Sequence, residues 1–394
     1  MNKTNLIIAF GGASPEHEVS VITAIQAASA LDDAAFNKIP LYVTKAGHFI
    51  TGSHLLNLES YKNLREAEQK GVPCSFRFNE NGVTVLAENG STGFFSKPKV
   101  YEVDVILTAF HGADGENGAF QGLCEMFNIP YTGSGPMASS VGMDKNAAKL
   151  LAKQLGVPVT PSVHILESEW TKNKSVILSE VLTLGETVFI KPVHLGSSIG
   201  VEKATGEKNI SLTIENCFRY DDQLLAEKAI YPLIEVNCSV LGDHNEAIAS
   251  VCEQPVGTSE VLSFDDKYMG GRGKGMASAS RIIPAPISES LTKQIQETSV
   301  TLFKAFNAGG VARFDFLINQ TTGEWFFNEI NTIPGSFSFY LWEKTGVPFK
   351  SLILKLIELA QKRHRTKNGR VRSFETNLLS QKAVKGIKGL KGKG

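Results

Sequence analysis

Long apolar runs that end in glycine-rich polar loops recur along this chain. Residues 5–10 (NLIIAF) and 103–110 (VDVILTAF) are almost wholly apolar, which is typical of strands buried on both faces of a parallel sheet. The first run continues into residues 11–20 (GGASPEHEVS), and the second into residues 111–118 (HGADGENG). Such loops lie at the carboxyl ends of the strands, where α/β sheets bind ligands. The pattern therefore predicts an α/β domain that presents both loops at one edge of its sheet.

A third loop of this kind follows residues 187–192 (TVFIKP), a predicted strand that carries Lys191 near its end. The next residues, 194–201 (HLGSSIGV), include small side chains that let the backbone approach a polyphosphate and donate N–H groups to it. An ordinary hairpin turn would need neither the lysine nor the two serines. The sequence contains no Walker A motif and no GxGxxG spacing, which argues against a P-loop or a dinucleotide-binding fold.

Residues 311–318 alternate between apolar and polar side chains, and residues 324–330 form a second apolar run after a short turn, so the pair predicts a β-hairpin. We expect a register in which Arg313 lies opposite Glu329. In that register Asp315 and Glu329 are diagonal neighbours about 7 to 8 Å apart at the backbone. Their side chains could then close on one metal ion.

The strand alternation places four polar side chains on one face of this hairpin. They are Arg313, Asp315, Glu329 and Asn331. Two carboxylates and an amide oxygen are suitable ligands for Mg²⁺, especially when substrate phosphates complete the coordination. The alternative is an ion-pair cluster of Arg313 with the two carboxylates. The polar turn at residues 331–336 (NTIPGS) favours the first reading, because its backbone N–H groups could hold an anionic substrate.

Composition fits a soluble globular protein. The 394 residues are 42% hydrophobic and 20% charged, enough for two or three domains. No apolar run approaches 18 residues and no signal segment is evident, so we expect a cytoplasmic protein without a membrane partner. The five cysteines are scattered and lack CxxC spacing, which predicts reduced thiols and neither a zinc site nor a disulfide framework.

The formal net charge of zero hides an asymmetry. Residues 362–394 contain 11 Lys and Arg against one acidic residue, so this tail carries +10 and the rest of the chain −10. The tail is low in complexity and lacks aromatic residues near its end, which predicts disorder. A basic arm could bind nucleic acid, membrane phosphates or an acidic partner. We favour a solvated extension and expect no nucleic-acid partner.

The segments RFDF (residues 313–316) and NEINTIPG (residues 328–335) resemble the metal-binding signature of the ATP-grasp ligases. Within that superfamily the chain is most similar to the D-alanine–D-alanine ligase family, whose GGxSxExxVS, HGxxGExG, YTGSG and MDK stretches it matches in order. The resemblance covers almost all of residues 5–350.

This resemblance implies a three-domain ATP-grasp architecture. A doubly wound α/β domain would span residues 1–142, and two ATP-grasp α+β subdomains would span residues 143–224 and 225–361, before the tail at 362–394. It also implies ATP-dependent joining of two D-alanine molecules through an acylphosphate, for peptidoglycan precursor synthesis, with two Mg²⁺ (or Mn²⁺) ions and a homodimer. A D-Ala-D-Ser or D-Ala-D-lactate ligase, another ATP-grasp carboxylate-amine ligase and a non-catalytic nucleotide-binding protein are the alternatives.

On the donor side, the resemblance implies that Glu16 anchors the ammonium group of the first D-alanine. Ser197 and Tyr268 would join Glu16 in a hydrogen-bonded triad, with Lys267 beside Tyr268 in a glycine-rich lid at residues 264–275. Glu16 could instead be a carboxylate that complements the helix dipole.

The family's nucleotide residues match five positions here. Lys145 and Lys191 would bind phosphate, the Glu227-Lys228 pair would lie at the adenine, and Glu235 would hold the ribose. One more residue than usual separates the two glutamates, so Glu235 is the less direct match. A surface ion pair is the alternative for Glu227 and Lys228.

On the acceptor side, the resemblance assigns Arg313 and the Gly335 N–H to stabilising a tetrahedral intermediate. Asp315, Glu329 and Asn331 would bind the metal ions. His111 is either a substrate contact or a structural hydrogen-bonding residue, and we favour the second. Tyr340 stands where the family has a serine that binds the second substrate's carboxylate, so the acceptor amino acid stays open.

Overall fold

The structure is a computed structural model that describes residues 3–90, 98–256 and 281–371. Lys267, Tyr268 and the predicted lid lie outside these ranges, as does most of the predicted tail. No helix in the described ranges is long and apolar enough to cross a membrane.

Seven strands form the first sheet. They are β1 (Thr4–Gly11), β2 (Phe36–Val43), β3 (Phe49–Thr51), β4 (Val72–Phe78), β5 (Thr84–Glu88), β6 (Val100–Glu102) and β7 (Val105–Thr108), in the order β6-β5-β4-β3-β2-β1-β7. Strand β1 pairs in parallel with both β2 and β7, and the remaining pairs are antiparallel. Because β1 and β7 are parallel neighbours, the loops that follow them lie at the same sheet edge, as predicted from their apolar runs.

Six helices lie between residues 17 and 154, within the described part of the chain. They are α1 (His17–Ala30), α2 (Leu64–Lys70), α3 (Ala113–Glu116), α4 (Ala119–Met126), α5 (Pro136–Met143) and α6 (Lys145–Gln154). Helix α1 begins directly after the GGASPE loop, and Gly112 precedes α3 in the HGADGENG loop.

Two antiparallel sheets make up the rest of the chain. One contains β8 (Ser162–Leu166), β9 (Thr187–Pro192), β10 (Glu202–Thr205) and β11 (Gln223–Lys228), in the order β10-β9-β11-β8. The other contains β12 (Leu233–Gly242), β13 (Ala247–Pro255), β14 (Arg281–Ile282), β15 (Gly310–Asn319) and β16 (Trp325–Asn331), in the order β14-β13-β12-β15-β16.

Five further helices follow within the described ranges. They are α7 (Glu167–Leu182), α8 (Glu207–Cys217), α9 (Glu289–Ala305), α10 (Phe339–Lys344) and α11 (Phe349–Asn368). Each sheet has its own apolar core, and the buried side chains of α11, among them Leu352 and Leu356, join the core of the first sheet. Helix α11 also extends further than expected. The prediction of a disordered tail is wrong for residues 362–368, where Arg363 donates to the Gly133 and Tyr131 carbonyls at 2.6 and 2.7 Å.

The predicted hairpin is present as β15 and β16, but its predicted register is wrong. Asp315 pairs directly with Glu329, and Arg313 pairs with Asn331. The pairing is already displaced by one residue next to the turn, where Ile318 pairs with Trp325 and not with Glu324. A β-bulge adds a second residue, since Phe316 pairs with Phe327 and leaves one extra residue on β16 before Glu329. The bulge brings the two carboxylates closer than the diagonal arrangement would.

Candidate active site

Three charged side chains form a buried chain between α6 and the second sheet. The Lys191 Nζ lies 2.7 Å from Glu227 Oε2, and the Lys149 Nζ lies 2.9 Å from Glu227 Oε1. Burial alone would raise the pKa of Glu227, but the two lysine charges outweigh it and lower that pKa to about 2. Burial lowers the pKa of Lys149, whereas the charge of Glu227 overcomes burial at Lys191 and raises its pKa. Glu227 is therefore ionised and held by both lysines.

Two residues that the sequence analysis missed belong to this site. Lys149 lies one helical turn after Lys145 on α6, and that spacing could have suggested that both face the same cleft. Asn328 is the extra residue of the bulge on β16, and its amide oxygen accepts a hydrogen bond from Lys191 at 3.1 Å. The adjacent polar residues Asn328 and Glu329 break the alternation of β16, and this break is the sequence signal that could have indicated a bulge.

The carboxylate pair lies on the neighbouring sheet. Arg313 binds both oxygens of Asp315 through Nε and Nη2, each at 2.7 Å, and Asn331 Nδ2 donates to the same carboxylate at 3.1 Å. The Lys145 Nζ lies 3.9 Å from Glu329. No group of three or more His, Cys, Asp or Glu side chains suited to a metal occurs within the described ranges. The donor set is instead two directly opposed carboxylates and an amide, whose oxygen atoms fit Mg²⁺.

Lys145, Lys191 and the carboxylates face one cleft between the two antiparallel sheets. The predicted nucleotide and metal residues that line it are Lys145, Lys191, Glu227, Lys228, Glu235, Asp315 and Glu329. An adjoining cavity of about 650 Å³ shares Phe189, Ile230 and Glu235 with this lining, so the whole cleft is large enough for a nucleotide. Both carboxylate oxygens of Glu227 lie against lysines in this structure, so its predicted contact with adenine stays a prediction.

Glu16 links the first sheet to the glycine-serine loop. Its carboxylate accepts a hydrogen bond from the Ser197 hydroxyl, as the resemblance predicted for the donor end of the site. A β-carbon on Gly112 would lie 2.7 Å from the Glu16 carboxylate, and one on Gly196 would lie 3.1 Å from it. The two loops therefore approach Glu16 closely because both positions are glycine. The contact fits the predicted triad, whose third member, Tyr268, lies outside the described residues.

A second carboxylate, Glu116, joins the HGADGENG loop to the segment before Gly335. Glu116 accepts hydrogen bonds from the Gly112 N–H at 2.9 Å and the Ile333 N–H at 3.1 Å. Burial, together with the nearby charge of Glu16, raises the pKa of Glu116 to about 7. Sequence analysis did not single out this residue, although it lies in a loop that was singled out.

His111 supports the same region. Its Nε2 lies 2.8 Å from the Thr23 hydroxyl, and burial lowers the pKa of the imidazole to about 4 despite a hydrogen bond with the Ile333 backbone. The imidazole is neutral, buried and hydrogen-bonded to both Thr23 and the Ile333 backbone, which favours the structural role over a substrate contact.

The turn that contains Gly335 has an unusual backbone. Residues 336, 337 and 338 have φ angles of 49, 56 and 51°, and none of them is glycine. Left-handed backbone at such residues costs about 1 to 2 kcal/mol each. The turn is buried, and Ser336 is held by Thr23 through its N–H at 3.1 Å and by Gln26 through its hydroxyl at 2.6 Å. Strain of this kind is concentrated at functional sites.

Tyr340 lies in the first turn of helix α10, which follows this turn. Its hydroxyl donates to Glu253 at 2.9 Å, and the Arg281 guanidinium lies 3.7 Å from the centre of its ring. Arg281 also binds Glu253 at 3.2 Å. Burial and the charge of Glu253 raise the pKa of Tyr340 to about 12, so the hydroxyl keeps its proton at neutral pH.

Two lysines from one antiparallel sheet and its preceding helix, facing carboxylates from a second sheet across a cleft, define the class of ATP-grasp ligases. The family model "D-ala D-ala ligase N-terminus" matches residues 5–134, and "D-ala D-ala ligase C-terminus" matches residues 151–358. The chain belongs to the D-alanine–D-alanine ligase family, which confirms the resemblance seen in the sequence.

Relatives and solved structures agree with this assignment. The chain is 36% identical over 384 residues to a D-alanine–D-alanine ligase of Thermosipho melanesiensis, covering 97% of this chain and 99% of the relative, and 36% identical to one of Heliobacterium modesticaldum, covering 93% and 97%. The solved D-alanine–D-alanine ligase of Coxiella burnetii superimposes with a TM-score of 0.77 at 28% identity, covering 94% of this chain and 97% of that one. A D-Ala:D-Ser ligase of Enterococcus faecalis gives 0.75 at 27% identity, covering 91% and 100%.

Proposed function

We propose that this protein joins two D-alanine molecules at the expense of ATP, for peptidoglycan precursor synthesis. The observation that carries the proposal is the convergence of Lys145 and Lys191 with Asp315 and Glu329 on one cleft, at whose edge Glu16 binds the glycine-serine loop. Family membership supports the same activity.

The reaction has two steps. A carboxylate oxygen of the first D-alanine attacks the γ-phosphorus of ATP, the bond from phosphorus to the bridging oxygen breaks, and ADP leaves. The amine of the second D-alanine, after losing a proton, attacks the carbonyl carbon of the acylphosphate. The carbon–oxygen bond then breaks, phosphate leaves, and the dipeptide remains.

The residues act mainly by positioning and by charge. Lys145 and Lys191 bind the phosphates, since phosphoryl transfer needs charge neutralisation more than covalent help from the protein. Asp315, Glu329 and Asn331 would hold one or two Mg²⁺ ions, or Mn²⁺, which neutralise phosphate charge when bound. Arg313, which is paired with Asp315 beside the carboxylates that would hold the metal, would face the reacting carbonyl. There the guanidinium and the Gly335 N–H stabilise the tetrahedral intermediate.

The nucleotide and donor roles complete the proposal. Glu227 and Lys228, which line the cleft, would hold the adenine, and Glu235, which also lines it, would hold the ribose. Glu16 anchors the donor ammonium with Ser197 beside it. The sequence-based expectations of a homodimer and of a cytoplasmic location belong to the same proposal, and light scattering of the purified chain tests the first.

Phosphate release from ATP and Mg²⁺ tests this function, first with D-alanine alone and then with D-alanine plus D-serine or D-lactate, with products identified by mass. D-Ala-D-Ala from D-alanine alone is the expected product. Release that requires D-serine or D-lactate would identify the alternative ligases, and no release with any D-amino acid would refute the proposal. Chelation of divalent ions should stop release, and excess Mg²⁺ should restore it.

The Arg313→Ala variant tests the role of Arg313. Turnover should fall by about 100-fold, because loss of one donor to a developing oxyanion commonly costs that much. ATP affinity should change little, since Arg313 is not among the residues that line the nucleotide cleft. Arg219→Ala, at an exposed arginine outside the cleft, is the control. Near-normal turnover of the Arg313 variant would exclude this role.

A further inference from the structure

A single row of polar residues crosses four strands of the third sheet. Glu329 on β16 pairs with Asp315 on β15, Asp315 pairs with Asn237 on β12, and Asn237 pairs with Glu253 on β13. Residues paired across neighbouring strands lie on the same face. The carboxylates assigned to metal therefore occupy one end of this row, and Glu253 occupies the other.

Glu253 is almost fully buried and is held from three sides. It accepts hydrogen bonds from Tyr340, Arg281 and Asn237, at 2.9, 3.2 and 3.3 Å. A buried carboxylate satisfied in this way is a fixed part of the site wall. We call Tyr340, Arg281 and Glu253 the acceptor cluster.

The acceptor cluster lies at a distance from the reacting centre that a small amino acid could span. Asp315 and Glu253 are two strand spacings apart, which is about 10 Å at the backbone. The paired Asp315 is the main cause of the raised pKa of Arg313, and the smaller contributions of Tyr340 and Glu253 show that the acceptor cluster lies near this guanidinium. A small amino acid could therefore place its amine at the reacting carbonyl and its carboxylate at the cluster.

The chemistry of the cluster separates two candidate carboxylate donors. The Tyr340 hydroxyl donates its one proton in the hydrogen bond to Glu253. It therefore does not donate to a substrate carboxylate as a free serine hydroxyl would. Arg281 is a fixed cation whose fork suits a carboxylate.

We propose that Arg281 binds the α-carboxylate of the acceptor amino acid, while the ring of Tyr340, pinned by Glu253 and Arg281, restricts that acceptor to a small D-amino acid such as alanine or serine. The inference rests on the proposed ligase function. In this proposal Arg281 on β14 binds the acceptor carboxylate, and the ring of Tyr340 lines the acceptor subsite.

The test separates the two half-reactions. Hydroxylamine traps the acylphosphate as a hydroxamate and carries no carboxylate, so its rate reports donor activation without the proposed Arg281 contact. Hydroxamate formation from ATP, Mg²⁺ and D-alanine is measured beside dipeptide formation over a range of D-alanine concentrations. Absence of hydroxamate with the unaltered chain would refute the ligase function itself.

Arg281→Gln should raise the acceptor KM at least tenfold, because a charge-assisted hydrogen bond is lost, and should leave the hydroxamate rate within about twofold. Tyr340→Phe should change the acceptor KM less than threefold. Arg219→Gln is a matched control, since Arg219 also lies over a tyrosine ring, that of Tyr220, but outside the site.

Arg281→Lys keeps the charge and covers the case in which the glutamine variant does not fold. It should recover at least part of the acceptor affinity. An unchanged acceptor KM in a folded Arg281→Gln or Arg281→Lys protein, together with a tenfold rise in Tyr340→Phe, would overturn the proposal and return the carboxylate to the Tyr340 hydroxyl.

Discussion

The pH dependence of stability should reveal the proton on Glu116. Burial and the charge of Glu16 raise the pKa of Glu116 from 4.5 to about 7. One pKa unit corresponds to about 1.4 kcal/mol, so the shift is worth about 3 kcal/mol. In the folded protein Glu116 holds its proton more tightly than in the unfolded chain. Its contribution to the free energy of unfolding is therefore complete below pH 4.5 and is lost as the pH rises to about 7.

Glu116→Gln isolates this contribution, because the amide is neutral at every pH. The substitution has a constant cost of about 1 to 3 kcal/mol, since the two carboxylate oxygens accept from the Gly112 and Ile333 N–H groups and an amide nitrogen cannot accept. We expect the variant to be less stable than the unaltered chain at pH 5. At pH 8.5 the gap should close or reverse, a relative change of about 3 kcal/mol.

Urea denaturation at half-unit steps from pH 5 to 8.5, followed by circular dichroism, measures this difference. Comparing the two proteins at each pH removes the contribution of His111, whose lowered pKa acts with the opposite sign as its stabilising effect is lost below pH 6.5. Glu102→Gln, at an exposed carboxylate, controls for the loss of one negative charge. A stability difference that stays constant within about 1 kcal/mol across this range would refute a protonated, buried Glu116.

Other perturbations test the lysine pair and the strained turn. Lys149→Met should reduce the free energy of unfolding by about 3 kcal/mol and raise the KM for ATP, because Lys191 would then be the one lysine paired with the buried Glu227. Urea melts measure the first effect and ATP titrations the second, with Lys153→Met, at an exposed lysine, as the control. Equal effects of the two variants would contradict the argument. Ser338→Gly should raise the melting temperature, by an amount equivalent to about 1 kcal/mol, because it relieves a φ of 51° and removes a buried hydroxyl without a hydrogen-bond partner among the described residues. Ser338→Ala removes only the hydroxyl and should gain less, so an equal gain would contradict the strain argument.

Sequence reasoning succeeded where the chemistry is carried by local pattern. The apolar runs predicted β1 and β7, and strand alternation predicted that Arg313 and Asp315 share a face. It failed on the register of the hairpin, because a bulge is set by the packing of one strand against its neighbours. The same bulge hid Asn328. Lys149 was missed for another reason: a lysine on a helix is normally solvated, and only its contact with Glu227 reveals that it is buried.

The part of the chain that matches the family's N-terminal model, here called the first domain, does more in this structure than carry Glu16. Residues 336–338 keep a left-handed backbone that would cost several kcal/mol in isolation. The side chains that hold the turn and the segment before it, Thr23, Gln26 and Glu116, all come from the first domain. The Gly335 N–H can therefore keep its place only while that domain is docked. Because Glu16 lies in the same domain, its proposed binding of the donor and the support of the proposed oxyanion donor depend on one and the same interface.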